Sequence, residues 1–133
     1  MKDDRITTFT LAEVEGILED IKNYVKNDKF EVPTNRKRQG NKEFIETYNL
    51  SNEKIKNILL KITALDFCHG VPDRRAKGNI LYVFCPLVAL VSPTHDSISI
   101  ELAVYTKISI VIGKQVVVVS FHPRKGPIDY LFL

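Results

Sequence analysis

The first third of the chain carries apolar residues at the spacing of an amphipathic helix. Thr10 and Glu13 stand three residues apart, the spacing of a capping box that begins a helix. The apolar residues that follow at intervals of three and four are Leu11, Val14, Ile17, Leu18, Ile21 and Val25. Because these positions share one helix face, the pattern predicts a helix that packs against a core.

Two shorter helices are predicted further on, with Asn41 and Ser51 as their N-caps. Their inward residues would be Phe44, Ile45 and Tyr48 in the second helix and Ile55, Ile58, Leu59 and Ile62 in the third. Residues 27–40 lose the helical period and contain Pro33, so they predict a loop with a short extended piece at residues 30–32. The helical part of the chain is therefore expected over residues 10–64.

The hydrophobic pattern changes from helix to strand in the second half of the chain. Residues 68–79 are rich in glycine, proline and charge and predict a loop, whereas β-branched and aromatic residues dominate from residue 80 onward. Residues 80–91 form the most apolar run and predict a buried strand. Helices followed by strands indicate an α+β fold, with three N-terminal helices packed on one face of a twisted antiparallel sheet over residues 80–122. The other face would be free for function.

Composition predicts one small domain without a membrane span. With 133 residues, 44% of them hydrophobic, residues 1–133 have room for a single core. Residues 123–133 form a tail whose prolines forbid a central strand and whose apolar residues predict docking on the domain. No run reaches the ~20 apolar residues of a membrane span, and no signal-peptide pattern follows Met1. Cys68 and Cys85 lack CxxC spacing, which predicts a reducing, cytoplasmic setting and leaves a disulfide between them open.

The net charge of +3 is unevenly distributed along the chain. Residues 1–31 hold eight acidic and five basic residues, whereas residues 36–77 hold ten basic and five acidic ones. The candidate RNA-binding residues of this basic segment lie in its two loops and are Arg36, Arg38, Arg74, Arg75 and Lys77. Ordinary solvation of a surface is the alternative explanation for each single charge.

The last hairpin is the most informative part of the sequence. In residues 101–112 the even positions are mostly aliphatic and the odd ones mostly polar, so the two sets face opposite sides of the sheet. Gly113 and Lys114 match a two-residue type II′ turn. The resulting register has two polar pairs on the outward face, which are Lys107 with Ser120 and Tyr105 with His122. One extra residue in the turn would move one strand's set to the other face.

These outward side chains suit the chemistry of a phosphodiester. The imidazole of His122 or His69 has a pKa near neutrality and can transfer protons, while Lys107 can stabilise an anionic transition state. RNA supplies its own nucleophile in the 2′-hydroxyl, so neither a metal nor another cofactor is required. The further candidate RNA contacts near this face are Ser120, Arg124 and Lys125. Alternatively, each of these side chains is an ordinary packing or surface residue of a strand.

Other familiar site patterns are missing from the sequence. The histidines and cysteines show no paired zinc-ligand spacing beyond the adjacent Cys68 and His69. The sequence also lacks a P-loop, a GxGxxG fingerprint, a GxSxG elbow and an HExxH helix. Nucleotide, serine-hydrolase and zinc-protease chemistry are therefore not indicated by motif.

Several segments, taken in order, resemble the motility quorum-sensing regulator (MqsR) toxins of bacterial toxin–antitoxin pairs. The resembling stretches are residues 41–50 (NKEFIETYNL), 58–68 (ILLKITALDFC), 81–84 (LYVF), 104–110 (VYTKISI) and 116–122 (VVVVSFH), with the ending GPIDYLF. The resemblance implies a RelE-like fold and a sequence-selective, metal-independent mRNA endoribonuclease in the cytoplasm. It also implies a cognate antitoxin protein as partner.

The resemblance also implies which positions carry the chemistry. The family's catalytic tyrosine corresponds to Tyr105, and its catalytic lysine in the last strand corresponds to His122. A second lysine falls near His69, and a glutamine falls near Val83. Three of the four positions therefore differ from the family pattern. Two function classes follow as hypotheses, an endoribonuclease toxin and a noncatalytic module of the same fold that binds nucleic acid or protein.

Overall fold

The protein has an α+β fold with three α-helices and a mixed six-stranded sheet, in a computed structural model that describes residues 3–133. The helices are α1 (Leu11–Lys26), α2 (Gln39–Thr47) and α3 (Asn52–Leu60). The strands are β1 (Phe30–Glu31), β2 (Phe67–Pro72), β3 (Ile80–Phe84), β4 (Leu87–Val91), β5 (Ser99–Val111) and β6 (Gln115–Pro123). Over residues 3–133, none of the helices combines the length and the hydropathy needed to cross a bilayer.

Local signals located α1 and α3 correctly. The Thr10 side chain accepts the N–H of Glu13 at 3.1 Å, and the Glu13 carboxylate accepts the N–H of Thr10 at 2.8 Å, so the capping box is confirmed. Ser51 caps α3 by accepting the N–H of Lys54. The predicted cap at Asn41 is wrong. A 3-10 turn over Arg36–Arg38 leads directly into α2, and Asn41 lies inside that helix and is 1% exposed.

The sheet is mixed, and the prediction of a wholly antiparallel sheet is wrong. The strand order is β1-β6-β5-β3-β2, and β4 pairs with the first part of β5. β1 runs parallel to β6, with Phe30 beside Val116 and Glu31 beside Val117. Two residues of extended pattern carry no information about the direction of their partner strand, because the same alternation suits either direction.

Two strand boundaries differ from the predicted ones. The first half of the predicted loop over residues 68–79 belongs to β2, which is the outer neighbour of β3. A Cβ at Gly70 would lie 3.0 Å from the Ile80 side chain and 3.1 Å from the Phe9 ring, so a glycine is required for close packing there rather than for a turn. The apolar run over residues 80–91 is two strands, β3 and β4, and Leu87 in β4 is 68% exposed.

The turn of the β5–β6 hairpin is longer than predicted. Val111 pairs with Gln115, which leaves three residues in the loop, and the N–H of Lys114 donates to the carbonyl of Val111 at 2.9 Å. Gly113 has a φ of +78° and is the second central residue of that turn, where a type II turn requires a positive φ. The predicted two-residue type II′ turn is therefore wrong.

A bulge in β6 compensates for the longer turn. It inserts one unpaired residue, Val119, before the strand continues toward the open end of the hairpin. Beyond the bulge the predicted pairs are confirmed, with Lys107 opposite Ser120 and Tyr105 opposite His122. The extra turn residue and the bulge together leave the open end in the predicted register.

Buried residues form two clusters. They lie on opposite faces of the sheet, because successive side chains of a strand point to opposite faces. The larger cluster joins the apolar stripes of all three helices to strand residues such as Val104, Ile108 and Phe121. The smaller one contains Cys68, Val83 and Cys85, with Tyr105 packed beside them. Cys68 and Cys85 are both free thiols.

The tail docks on the domain, as the sequence predicted. The N–H of Leu131 donates to the carbonyl of Phe67 at 3.0 Å, and the Tyr130 hydroxyl donates to the carbonyl of Cys85 at 2.6 Å. The Phe132 ring stacks on Phe67 with ring centroids 6.3 Å apart. Leu131 and Phe132 pack against the larger cluster, whereas Ile128 and Tyr130 pack against the smaller one, so the sheet face opposite the helices is partly covered.

Asn41 ties α2 to the irregular part of β6. Its amide group donates to the carbonyl of Val119 at 3.1 Å and to the carbonyl of Pro33 at 2.9 Å, and its carbonyl oxygen accepts the N–H of Phe121 at 2.7 Å. No strand lies beside β6 at this point within residues 3–133, since β1 pairs only with residues 116 and 117. The side chain therefore satisfies backbone groups that a neighbouring strand would otherwise satisfy.

Replacing Asn41 with leucine should destabilise the fold strongly. Each backbone group left buried without a partner costs about 1–3 kcal/mol, and Asn41 serves two such groups of β6, so we expect the free energy of unfolding to fall by about 2–6 kcal/mol. Urea denaturation of parent and variant measures the change. Asn57→Leu makes the same exchange on the exposed face of α3 and should change stability by less than about 0.5 kcal/mol. Equal midpoints for the two variants would contradict this account.

Candidate active site

Tyr105 and His122 form the centre of the candidate site. They are directly opposed on β5 and β6, and their rings stack with centroids 5.5 Å apart and planes 17° apart. Both side chains are half-buried. Burial raises the pKa of the Tyr105 phenol, and the nearby Cys68 and Cys85 raise it further, so the phenol stays protonated and donates hydrogen bonds. The pair therefore combines a fixed donor with an imidazole.

The imidazole of His122 is held in one orientation. Its Nδ1 lies 2.9 Å from the carbonyl oxygen of Pro123. A carbonyl can only accept, so this hydrogen bond requires the proton on Nδ1 and leaves Nε2 as the basic nitrogen of the neutral ring. On its other side the ring meets α2, where a Cβ at Gly40 would lie 3.4 Å from the imidazole Cδ2. A glycine at this position lets the helix approach the ring closely.

Two surface cavities meet at His122. One of about 230 Å³ is lined by Tyr105, His122 and the start of the tail, including Arg124 and Lys125. The other, of about 470 Å³, lies along α2 and includes Glu43 and Lys125. Arg124 and Lys125 thus lie beside the tyrosine and histidine, where an anionic substrate would need positive charge.

Lys107 lies two residues from Tyr105 on the same face of β5, in a separate basic pocket. It shares a cavity of about 320 Å³ with Arg38, Arg74 and Arg75. Burial lowers the pKa of Lys107, and the nearby guanidinium groups of Arg38 and Arg75 lower it further. Ser120, directly opposite Lys107, is 5% exposed and offers little surface to a ligand.

His69 is on the same side of the sheet but lies far from His122. Four paired residues form one row across the sheet. From β2 to β6 they are His69, Val83, Lys107 and Ser120. Strands lie ~4.8 Å apart, which puts the Cα atoms of His69 and His122 roughly 15 Å from each other. The two imidazoles therefore do not meet at one phosphate.

The remaining sequence candidates lie at the edge of the site or outside it. Arg36 and Lys77 are exposed and do not line either the Tyr105 cavity or the Lys107 pocket. Burial raises the pKa of Cys68 to about 12 and also raises that of Cys85, so both stay protonated and are poor nucleophiles. In residues 3–133, no group of three or more His, Cys, Asp or Glu side chains is placed to hold a metal ion.

Sequence reasoning missed the residues that hold the basic loop in place. The Asp73 carboxylate accepts the N–H of Arg75 at 2.9 Å and the Asn79 amide at 3.0 Å. The Asn79 amide also donates to the hydroxyl of Ser109 in β5 at 3.1 Å. In the sequence, two arginines follow Asp73 directly, and Asn79 comes six positions after it. This polar turn pattern could have indicated an ordered loop.

No protein-family model, curated protein or solved structure matches the chain. The likeness to MqsR toxins thus stays a prediction from the ordered segments of the sequence.

His69 should make stability depend on pH in a defined direction. Its pKa is lowered chiefly by burial and further by Arg5 and Lys107, while Asp3 and Asp4 oppose this shift. The unfolded chain, with a histidine pKa near ~6.5, therefore binds more protons than the folded chain in mildly acidic solution. The stability that neutral His69 contributes is present above that value and is lost as the pH falls through the lower folded pKa.

Replacing His69 with glutamine should therefore reduce the loss of stability between pH 7 and pH 5. Urea midpoints measured at both values for parent and variant give the difference. His95→Gln removes an exposed imidazole and should leave the parent's pH dependence unchanged. The same pH dependence in His69→Gln and in the parent would show that His69 does not contribute.

Proposed function

We propose that the protein is a metal-independent mRNA endoribonuclease toxin of a bacterial toxin–antitoxin pair. The proposal includes a RelE-like arrangement, with the three helices on one face of the sheet, and action in the cytoplasm. The ordered resemblance to MqsR toxins supports the substrate class, and the stacked pair of Tyr105 and His122 beside Arg124 and Lys125 supports the chemistry.

The observation that carries the proposal is the free Nε2 of an oriented imidazole in a positively charged cavity. His122 Nδ1 is engaged by the Pro123 carbonyl, so Nε2 is the nitrogen available for proton transfer. An imidazole is the side chain that most often serves as a general base in proteins. The cations beside it, Arg124 and Lys125, can offset the negative charge that gathers on a phosphorane.

The proposed reaction needs no nucleophile from the protein. His122 Nε2 takes the proton of the ribose 2′-hydroxyl, and the 2′-oxygen attacks the adjacent phosphorus. The bond from phosphorus to the 5′-oxygen breaks, which leaves a 2′,3′-cyclic phosphate on one fragment, and the departing 5′-oxygen takes a proton from water to become the 5′-hydroxyl of the other. The protonated Tyr105 phenol donates a hydrogen bond at the phosphate and assists departure of the 5′-oxygen. His69 has no part in this step because of its distance.

The alternative proposal is a noncatalytic module of the same fold that binds nucleic acid or protein. Its support is that His122 and His69 stand where the resemblance places lysines, and that an aliphatic residue, Val83, stands where it places glutamine. Basic loops bind RNA in a salt-dependent manner under either proposal. Cleavage of RNA separates the two.

Replacing His122 with glutamine should abolish cleavage while RNA binding persists. Glutamine retains hydrogen bonding but cannot titrate, and loss of a proton-transfer group lowers rates by ~10²–10⁴-fold. The measurement is the rate of cleavage of a mixed mRNA in EDTA, with fragment ends mapped, alongside the Kd for the same RNA.

Two variants accompany this measurement. Tyr105→Phe should lower the rate with little change in Kd, since it removes one hydrogen bond to the transition state. His95→Gln changes an exposed histidine outside the site and should cut RNA like the parent. If His122→Gln cuts as fast as the parent, Tyr105 and His122 are not the active site; if the parent leaves RNA intact at high concentration, the noncatalytic alternative is correct.

We also propose a cognate antitoxin that covers the free edge of β4. β4 pairs only with β5 among residues 3–133, and its sequence, LVALV, has no charge, proline or bulge to prevent another strand from pairing there. A groove of about 350 Å³ runs between β4 and α3, and Lys54 and Lys61 line its helix side. An extended, acidic segment of an inhibitor protein fits both the free edge and these cations.

Charge at the β4 edge should weaken binding of the antitoxin. The double variant Leu87→Lys with Val91→Lys changes two side chains that are 68% and 59% exposed, so the fold should tolerate it. Co-expression with the small protein encoded beside this gene, followed by pull-down, should show loss of the complex. Ile112→Lys places the same charge on a 90% exposed residue at the hairpin tip and should retain it. Equal capture of both variants would place the interface elsewhere.

A further inference from the structure

The pocket around Lys107 holds a concentration of positive charge that the described part of the protein does not neutralise. Four cations line it, namely Arg38, Arg74, Arg75 and Lys107. Two carboxylates, those of Asp4 and Asp73, line it as well. The pocket therefore carries an excess of positive charge.

Both carboxylates already have partners. Asp73 accepts hydrogen bonds from the Arg75 N–H and from the Asn79 amide. Asp4 lies 3.8 Å from the guanidinium of Arg74. Across residues 3–133, no carboxylate forms an ion pair with Lys107, Arg38 or Arg75.

Lys107 is the member of this group for which the positive charge is hardest to hold. Its side chain is half-buried in the sheet, and burial together with Arg38 and Arg75 lowers its pKa. A partly buried ammonium normally has an anion beside it, because loss of hydration is then offset by ion pairing. An anion from outside the protein would supply that partner.

The fold also holds the backbone of Arg75 in place. The loop that carries it is fastened to β5 through Asp73, Asn79 and Ser109. A guanidinium group suits a phosphate, since its planar donors match two phosphate oxygens at once. Lys107 adds a point charge from the floor of the pocket.

We propose that this pocket binds the phosphate group of the nucleotide next to the one that is cut. The proposal rests on the proposed endoribonuclease function for the identity of the RNA, but the phosphate chemistry of the pocket stands on the charges alone. Lys107 follows Tyr105 by two residues on the same face of β5, which separates their Cα atoms by roughly 7 Å. One RNA strand can therefore contact the Tyr105 cavity and the Lys107 pocket together. Lys107 is then a substrate-binding residue and not a catalytic one.

Inorganic phosphate is the probe that tests the pocket without any RNA. Titration into the full-length protein at low salt, followed by amide NMR shifts, should move the signals of residues 73–79 and of Lys107 together. Lys107→Met keeps the apolar stem, and Arg75→Gln keeps a polar side chain, so both should fold. Each should weaken phosphate binding roughly tenfold or more, the effect of losing a hydrogen bond to a charged group. Lys114→Met, an exposed lysine at the hairpin tip, should bind phosphate like the parent.

Cleavage kinetics separate a binding role from a catalytic role. Lys107→Met should raise KM for RNA and leave kcat unchanged, as loss of uniform binding does. A fall in kcat with unchanged KM would overturn the inference and return Lys107 to the catalytic centre. Equal phosphate binding by the parent and both pocket variants would also overturn it. Absence of RNA cleavage by the parent would refute the endoribonuclease proposal alone, since the phosphate titration does not depend on cleavage.

Discussion

The hydrogen bonds of one buried side chain, Asn41, fix the geometry on which the candidate site depends. Its amide bonds to the backbone of β6 at Val119, the unpaired residue of the bulge, and at Phe121, two residues beyond it. Gly40 precedes it in α2 and lies against the imidazole of His122. Because the same helical turn makes both contacts, the distance between α2 and β6 determines how closely the helix confines the histidine. A fully satisfied polar group in a core specifies one arrangement, where apolar packing alone would accept several.

The spacing of apolar residues was sufficient to predict those helices and strands in which one spacing, helical or alternating, holds from end to end. The stripe of α1 and its capping box with Thr10 follow directly from spacing, and so does the alternation along β5. The direction of β1 and the strand character of β2 were not predictable in this way. β1 has two residues, and β2 includes Gly70 and Pro72, which resemble turn residues unless their neighbours in space are known. Long-range packing thus decided the structure wherever the local pattern was short or mixed.

The candidate site was predicted in part, and the correct part depended on two errors that offset each other. Strand alternation placed Tyr105 opposite His122, and the structure agrees, although the turn and the interior of β6 both differ from their predicted form. Two shifts of one residue, one in the turn and one at the bulge, cancel. The separation of His69 from His122 depends on strand order, and no spacing in the sequence reveals strand order. The same limit applies to the pocket of Lys107 and Arg75, which brings β5 together with a loop about thirty residues away in the chain.

The bulge at Val119 interrupts a run of four valines, residues 116–119, whose members are interchangeable. Three of them, Val116, Val118 and Val119, are buried, so the core-facing side chains up to and including the bulge are identical. Side-chain type therefore does not set the place of the bulge within this run. The contact that marks its place is the amide of Asn41, which bonds to the backbone at Val119 and, beyond it, at Phe121. A side chain of α2 thus fixes where the register of β6 shifts, and the pair of Tyr105 with His122 lies beyond that shift.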